Sequence, residues 1–342
     1  DRALNAIEKE KDSSKEILLE AIENSLVAAC KNEFGKTDNI RVNLDRETGE
    51  FHVYQDKVVV EEVEDSMLQM SLTEAEVKFP GASLGETVSL EVTPKNFGRI
   101  AAQKAKQVVV QKIREEERKV LFDQYYTKEH DIVTGMVQRY SNGNYNVNIG
   151  KIDAILTPQE QVKGEDFSAH ERIKLYVTEV KDTPRGPRIV ISRTHPELVK
   201  RLFEAEVAEI QSGVVEIKSV SREAGSRSKI AVYSNNPDVD AVGACVGMNG
   251  ARVNAVVEEL HGEKIDIVEW NEDPAIFIEH ALSPSKVVSV TVNDDPEEKS
   301  AKVIVPDYQL SLAIGKEGQN ARLAAHLTGY KIDIKSETQS LS

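Results

Sequence analysis

A duplicated segment near the C-terminus constrains the fold of this chain most strongly. Residues 262–267 read Gly-Glu-Lys-Ile-Asp-Ile and residues 329–334 read Gly-Tyr-Lys-Ile-Asp-Ile, so five of six positions are identical. Each segment follows a Gly-x-x-Gly loop, at 247–250 and at 315–318, and the copies are offset by 68 residues at the loops and 67 at the strands. Such repetition indicates two copies of one supersecondary unit. We predict that each copy runs helix, strand, strand, helix, glycine loop, helix, strand, with the first helix of the second copy near Pro284.

Both glycine loops are predicted to lie at the N-terminus of a helix. The apolar residues that follow each loop have the spacing of one helical face: Val253, Val256, Val257 and Leu260 after the first, and Leu323, Ala324 and Leu327 after the second. The unpaired N–H groups and the positive dipole end at a helix start favour an anion such as a phosphate. Glycine allows the backbone to approach such a group closely. The sequence therefore predicts a phosphate site at each loop.

Residues 130–194 are predicted to form a small OB-type barrel, because five short runs typical of strands are separated by turn sequences. Such barrels bind single-stranded nucleic acid through aromatic platforms and basic grooves. Candidate platforms are Tyr140, Tyr145 and Tyr176, and candidate cations are Lys181, Arg185 and Arg188. At most one or two of the tyrosines are expected to be exposed, with the others in the core.

Residues 1–125 are predicted to form a separate N-terminal α/β domain. A capping box formed by Ser13 and Glu16 predicts that a helix over 13–34 begins there. The patterns that follow predict these elements in order: a hairpin over 40–60 that turns at Thr48 and Gly49, a short helix over 71–79, a strand over 87–92 and a long helix over 95–125.

The distribution of charge matters more than its total, because a net charge of −15 has the wrong sign for a nucleic-acid-binding protein. Residues 61–91 carry −7 and residues 95–119 carry +5. In the first repeat a basic loop over 222–229 is predicted between two strands, whereas the second repeat has an acidic turn over 294–298. This pattern predicts a limited nucleic-acid contact, with charge supplied by different elements in the two repeats, and a separate protein-facing surface.

Several classes of protein find no support in the sequence. There is no Gly-x4-Gly-Lys-Ser/Thr, no His-Glu-x-x-His and no Gly-x-Ser-x-Gly motif, and the seven histidines lack metal-site spacing. We therefore expect no enzyme activity, no cofactor and no metal. Cys30 and Cys245 are expected to be reduced core residues. The absence of an 18-residue apolar stretch and of an apolar signal core after Asp1 predicts a cytoplasmic chain with no membrane partner, and we expect a monomer.

A barrel followed by two Gly-x-x-Gly units resembles the NusA family of bacterial transcription elongation, termination and antitermination factors. The specific stretches are 250–253, 262–267 and 313–324, and the stretch 182–187 and the helix over 13–34 also resemble the family. The resemblance covers almost the whole chain and implies a multidomain α+β architecture. The implied domains are an N-terminal RNA polymerase-binding domain (1–125), an S-one RNA-binding barrel (130–194), and two prokaryotic-type KH domains (200–274 and 275–342).

The resemblance also implies partners and roles. The N-terminal domain would dock on core RNA polymerase near the RNA exit, while the barrel and KH domains hold nascent single-stranded RNA and other elongation or antitermination factors join. In KH domains the glycine loop clamps the RNA backbone. The implied RNA-binding residues are Gly247, Met248, Asn249, Gly250, Arg252, Gly315, Lys316, Glu317, Gly318, Asn320 and Arg322 around the loops, with Tyr145, Lys181, Arg185 and Arg188 in the barrel and Arg222, Arg227 and Lys229 in the basic loop.

Two departures from the family pattern affect these expectations. The first loop offers Met248 and Asn249 without a positive charge, so its phosphate contact would depend on backbone N–H groups and Arg252. The barrel lacks the usual phenylalanine and histidine pair, and Tyr145 is the nearest substitute. Two alternatives use the same RNA modules: an RNA-processing enzyme, for which the first 125 residues offer no catalytic motif, and a ribosome-associated protein.

Overall fold

The computed structural model describes residues 2–34 and 38–342. It divides into two compact units, Asp1–Val120 and Leu121–Ser342. Among the described residues, no helix is both long and apolar enough to cross a membrane. The domain ranges given above for the barrel and the repeats stay predictions.

The first unit contains one four-stranded sheet, with helices before, between and after its strands in the sequence. Its elements, with a third helix that runs past the unit boundary, are α1 (Arg2–Phe34), β1 (Ile40–Leu44), β2 (Phe51–Val60), β3 (Gln69–Ser71), α2 (Leu72–Lys78), β4 (Thr87–Glu91) and α3 (Phe97–Tyr126). Strands β1 and β2 form the predicted antiparallel hairpin, and β2 also pairs with β3 and β4. Buried Leu26, Cys30, Val53 and Phe97 lie in one apolar cluster of this unit.

The prediction that the first helix begins at Ser13 is wrong. Helix α1 is continuous from Arg2, so Ser13 lies inside it and cannot act as an N-cap. Glu16 instead pairs with Arg46, at 2.6 Å between a carboxylate oxygen and Nη2. The capping-box sequence was misleading because a helix interior tolerates the same residue types when a tertiary partner is available for the acid.

The second unit begins with a five-stranded barrel-like sheet. Its strands are β5 (Ile132–Ser141), β6 (Asn144–Ile149), β7 (Ile152–Leu156), β8 (Arg172–Thr183) and β9 (Gly186–Ser192). They pair in the order β7-β6-β5-β8-β9, and the two end strands approach each other, so the sheet is nearly closed. The inward side chains alternate along each strand, as in β6, where Tyr145, Val147 and Ile149 are buried. The prediction of five strands and a small barrel is confirmed.

Two similar α/β units follow the barrel. The first has α4 (Pro196–Glu206), α5 (Ala208–Gln211), β10 (Val215–Glu223), β11 (Arg227–Ser234), α6 (Ala241–Val246), α7 (Ala251–Glu259) and β12 (Lys264–Glu269). The second has α8 (Pro274–Ala281), β13 (Ser289–Val292), β14 (Ser300–Val305), α9 (Leu310–Ile314), α10 (Gln319–Thr328), β15 (Lys331–Ser336) and α11 (Glu337–Ser340). In each sheet the first two strands are antiparallel and the repeated Lys-Ile-Asp-Ile strand pairs in parallel with the second. The predicted duplication is confirmed.

Two predictions within these units are wrong in detail. The segment 222–229 is not a loop, because β10 continues to Glu223 and β11 begins at Arg227, so that only residues 224–226 form the turn. The basic residues therefore lie on two paired strands, Arg222 on β10 and Arg227 and Lys229 on β11, instead of projecting together from a loop. The first helix of the second repeat was placed near Pro284, but α8 ends at Ala281.

Arg193 joins the barrel to the first α/β unit. Its side chain is fully buried and donates to the Glu165 carboxylate of the barrel and to the carbonyl of Lys174 (2.9 Å). It also donates to the carboxylate and the carbonyl of Glu259 at the end of α7 (3.1 and 2.9 Å). A buried guanidinium that satisfies its donors on both sides of a junction fixes that junction, because its displacement would leave buried charge unpaired.

Candidate nucleic-acid interface

The two glycine loops adopt the same backbone conformation. The first glycines, Gly247 and Gly315, have φ/ψ of 77°/173° and 79°/169°. The third residues, Asn249 and Glu317, both lie in the left-handed region at φ 56°. The loops therefore place their central side chains equivalently although those side chains differ in charge.

Glycine is required at the first position of each loop for two reasons. Its φ/ψ region is accessible almost only to glycine. A Cβ on Gly315 would also lie 2.7 Å from the backbone nitrogen of Asn320, and one on Gly247 would lie 2.9 Å from that of Arg252. The loop is thus folded tightly against the first turn of the following helix.

The loops present a surface that a phosphate can reach. Met248 is 86% exposed, and Asn249, Lys316 and Glu317 are exposed as well. No side chain caps α7 or α10, whose N-caps are glycines. Both helices therefore start with backbone N–H groups that no side chain caps, and a helix start of this kind favours an anion. Only the second loop adds a cation, Lys316.

A groove at the second loop gathers further cations. It has a volume of about 360 Å³ and lies between the start of β11 and β12 in the first α/β unit and the loop of the second. Three cationic side chains line it: Arg227, Lys264 and Lys316. The other lining residues are Ser226, Pro284, Leu312, Gly315, Gln319 and Asn320. Basic side chains beside apolar and amide groups suit a strand of sugar-phosphate and bases.

Two residues predicted to bind RNA are instead buried structural cations. The Arg222 side chain is 1% exposed and donates to both carboxylate oxygens of Glu263 (3.0–3.2 Å) and to the carbonyl of His195 (2.8 Å). Lys229 is fully buried and donates to Asp266 (3.0 Å) and to the carbonyl of Ser283 (2.7 Å). Burial lowers the pKa of Lys229, although Asp266 opposes this effect. We withdraw both as RNA contacts.

The arginines predicted to pair with phosphates already have carboxylate partners. Arg252 donates to Glu209 (2.6 Å) and to the carbonyl of Ala244 (2.7 Å). Arg322 is bound by Glu223. Arg227 donates to Asp266 at 2.8 Å and keeps 26% of its side chain exposed. A phosphate would have to share or displace these acids.

Asn320 also has a structural role. It is 6% exposed and its amide nitrogen donates to the carbonyls of Leu282 and Ala313, both at 3.0 Å. It thereby ties the start of α10 to α9 and to the end of α8. We withdraw Asn320 as an RNA contact because its side chain faces the protein interior.

The structure changes which aromatic residue the barrel exposes. Tyr145 is 5% exposed and Tyr176 is 4% exposed, so neither can be a stacking platform. Tyr140 is 61% exposed and packs beside Tyr145, with 4.7 Å between ring centroids. Tyr145 lies on the inward face of β6, whereas Tyr140, its partner on the adjacent strand β5, reaches solvent. Tyr145 is therefore withdrawn and Tyr140 takes its place.

The three barrel cations lie on the β8–β9 hairpin. Lys181, Arg185 and Arg188 are exposed there, and Lys181 lies 3.7 Å from Glu179. They belong to the barrel and do not line the groove at the second glycine loop. The sequence-predicted residues thus separate into a loop set and a barrel set.

The sequence reasoning missed Lys264 and Gln319 in the groove. Lys264 is the first residue of the repeated Lys-Ile-Asp-Ile strand, and Gln319 follows the second glycine loop. Neither residue was predicted to bind RNA. Lys264 belongs to the first α/β unit and Gln319 to the second, so neither motif alone predicts that the two residues line the same groove. The available signal was a lysine at the start of an edge strand next to a glycine loop.

Family models and relatives agree with this architecture. The chain matches the NusA N-terminal domain over residues 2–119, the NusA-like first KH domain over 193–270 and the NusA-like second KH domain over 274–342. The transcription termination/antitermination protein NusA of Bacillus subtilis is 58% identical over 99% of this chain and 91% of its own length. The chain belongs to the NusA family. The NusA protein of Halalkalibacterium halodurans is 56% identical, over 99% of this chain and 88% of its own length.

A solved structure covers the N-terminal part of this NusA-family chain. The solution structure of the N-terminal domain of NusA from B. subtilis is 53% identical, covers 34% of this chain and 94% of that domain, and superposes with a TM-score of 0.30. Within the NusA family, the two glycine loops described above lie in the first and second KH domains.

Proposed function

We propose that this chain is a non-catalytic transcription factor that binds core RNA polymerase through residues 1–125 and holds nascent single-stranded RNA with its barrel and KH domains. In this role it modulates pausing, termination and antitermination, together with other elongation factors, as a monomer in the cytoplasm. The names of its relatives favour this function over RNA processing or ribosome association.

One observation carries the RNA-binding part of the proposal. Two loops of identical backbone geometry begin helices α7 and α10 with exposed central residues, and the second adjoins a groove with three cations. Helix N-termini and basic groove walls together bind phosphates without reading base edges. The RNA contacts we retain are the eight loop residues, Arg227, Arg252, Lys264 and Arg322 in the KH domains, and Tyr140, Lys181, Arg185 and Arg188 in the barrel.

Lys316→Asp should weaken RNA binding about tenfold or more, because it removes a charged contact and places a carboxylate beside the phosphate. The slope of log affinity against log salt should become shallower by about 0.7, the value for one phosphate contact on a single strand. Filter binding of the full chain to an unstructured single-stranded RNA at several salt concentrations measures both quantities.

Lys302→Asp is the matched control, since Lys302 is exposed on β14 and does not line the groove. Both variants change the net charge equally, and both should keep the melting temperature because exposed positions contribute little to the core. Equal weakening by the two variants would show that only overall charge matters. Unchanged affinity in Lys316→Asp would remove the second loop from the RNA site.

Polymerase docking is tested separately. Segment 58–84 of the first unit exposes five large apolar side chains: Val58, Val63, Leu68, Val77 and Leu84. Val77 on α2 is 80% exposed between Glu76 and Lys78. Exposed apolar groups concentrated in one segment are what a protein partner would cover. In a pull-down of core RNA polymerase with the full chain, Val77→Asp should reduce retention.

The control for docking is Val288→Asp, because Val288 is also exposed (52%) but lies in the second unit. Its retention of polymerase should match that of the unmodified chain. A full chain that retains no polymerase would contradict the docking proposal. Equal retention by the Val77 variant would exclude α2 as the docking surface.

A further inference from the structure

Arg322, next to the second glycine loop, is held by an acid from the other KH domain. Its Nε and Nη2 donate to the two carboxylate oxygens of Glu223 at 2.9 and 2.8 Å. Its Nη1 donates to the carbonyl of Glu317 within the loop at 2.9 Å. Glu223 ends β10 of the first KH domain, whereas Arg322 lies in α10 of the second.

The carboxylate occupies the edge of the guanidinium that recognises phosphates. Arginine binds carboxylate and phosphate with the same two-pronged geometry, through two parallel N–H donors. The Glu223 carboxylate accepts from both of these donors of Arg322. The side-chain amide of Gln319 also lies 3.5 Å from the same carboxylate and donates to the hydroxyl of Ser226 at 2.6 Å. Arg322 holds the Glu223 carboxylate in its ionised form, which lowers the pKa of Glu223.

An arginine at this position, held by an acid from the other KH domain, is found at the second loop and not at the first. With the 68-residue offset of the loops, the position of Arg322 corresponds to Asn254 in the first KH domain. A Cβ on Gly250 would meet the Asn254 amide, just as one on Gly318 would meet Nη1 of Arg322, so the two side chains occupy the same place beside their loops. The first loop has a neutral amide at that position, and its nearby Arg252 is paired with Glu209 of the same KH domain.

The ion pair is open to exchange. The side chains of Arg322 and Glu223 are 48% and 32% exposed, so water and salt screen their attraction. An RNA phosphate that reaches the second loop approaches the same guanidinium. Two anions cannot use one pair of donors, and they repel each other at close range.

We propose that Glu223 is an internal phosphate mimic that competes with RNA for Arg322 and thereby determines the affinity of the second KH loop. This inference rests on the proposed RNA-binding function and deepens it. Full engagement of the loop requires the RNA phosphate to displace a carboxylate supplied by the first KH domain. The acid therefore weakens binding of isolated phosphates and favours RNA that occupies both KH domains, where neighbouring contacts help to displace it.

Glu223→Gln tests the proposal, because glutamine keeps the shape and one acceptor but removes the charge. Titration of the full chain with an unstructured single-stranded RNA should show affinity about two- to fivefold tighter than for the unmodified chain. The salt slope should steepen by about 0.7, as one further cation becomes available to a phosphate. Glu272→Gln, at an exposed glutamate before α8, controls for the change in net charge and should leave the affinity unchanged.

Arg322→Gln, made in the unmodified chain and in the Glu223→Gln background, completes a double-mutant cycle. It should weaken RNA binding less in the unmodified chain, where Glu223 competes, than in the Glu223→Gln background, where it should abolish the gain. Unchanged or weaker binding by Glu223→Gln, equal tightening by Glu272→Gln, or equal losses from Arg322→Gln in both backgrounds would each overturn the proposal. If Lys316→Asp weakens binding while Glu223→Gln does not tighten it, this inference fails alone; if Lys316→Asp has no effect, the proposed function of the loop fails.

Discussion

Gly315→Ala is expected to lower the free energy of unfolding of the second unit by about 2–4 kcal/mol. A methyl group at this position enters a region of φ/ψ that is almost restricted to glycine and lies 2.7 Å from the backbone nitrogen of Asn320. The loop must then shift away from α10, so RNA affinity should fall together with stability. Urea unfolding followed by the fluorescence of Trp270, the single tryptophan of the chain, reports the second unit.

Gly329→Ala provides the comparison, because Gly329 also has a positive φ (74°) but a Cβ there meets nothing within 4 Å. This variant should lower the free energy of unfolding by about 1–2 kcal/mol, the cost of a left-handed backbone for alanine, and RNA affinity should be retained. The difference between the two variants isolates the close approach within the loop. Equal effects on stability and on RNA binding would contradict the steric explanation.

Arg222→Met is expected to destabilise the second unit by about 3–5 kcal/mol, because it leaves the Glu263 carboxylate buried and without its counter-ion. Both side chains are at most 1% exposed. The remaining donors to Glu263 are the hydroxyl of Ser228 (2.8 Å) and the backbone N–H of Gly225 (2.7 Å), which do not neutralise its charge. The same urea titration measures the loss.

The double variant Arg222→Met/Glu263→Gln should recover about half of that loss or more, since replacing both members of a buried ion pair costs far less than removing one. RNA affinity, measured at a temperature where each variant is folded, should not change in either variant. Weakened RNA binding by Arg222→Met without loss of stability would restore Arg222 as an RNA contact. That outcome would also contradict its assignment as a structural cation.

The repeat was readable from the sequence because it is encoded locally. Identical Lys-Ile-Asp-Ile strands, glycine spacing and the helical periodicity after each loop depend on residues close to one another in the chain. The barrel was predictable for the same reason, from alternating strands and turn residues. The start of α1 was not, since a capping-box pattern fits a helix interior when Arg46, 30 residues away, binds Glu16.

The tertiary structure decided whether each charged side chain is buried and which partner it has. Lys229 looked like an exposed basic residue, yet its partners Asp266 and Ser283 lie 37 and 54 residues further along the chain. Arg322 is bound by Glu223, 99 residues away. Charge in a sequence gives the number of cations but not which acids lie near them, because ion pairs form between elements that only folding brings together.

The sequence by itself determined the two glycine loops, their helices and strands, and the small barrel, because these depend on short-range sterics, hydrogen bonding and periodicity. Only the tertiary structure decided which cations remain exposed and where they gather: it buried Arg222 and Lys229, assembled Lys264 with Lys316 in one groove, and set Glu223 against Arg322. The physical reason is that a long charged side chain reaches several ångströms from its backbone, so its partner depends on how whole elements pack.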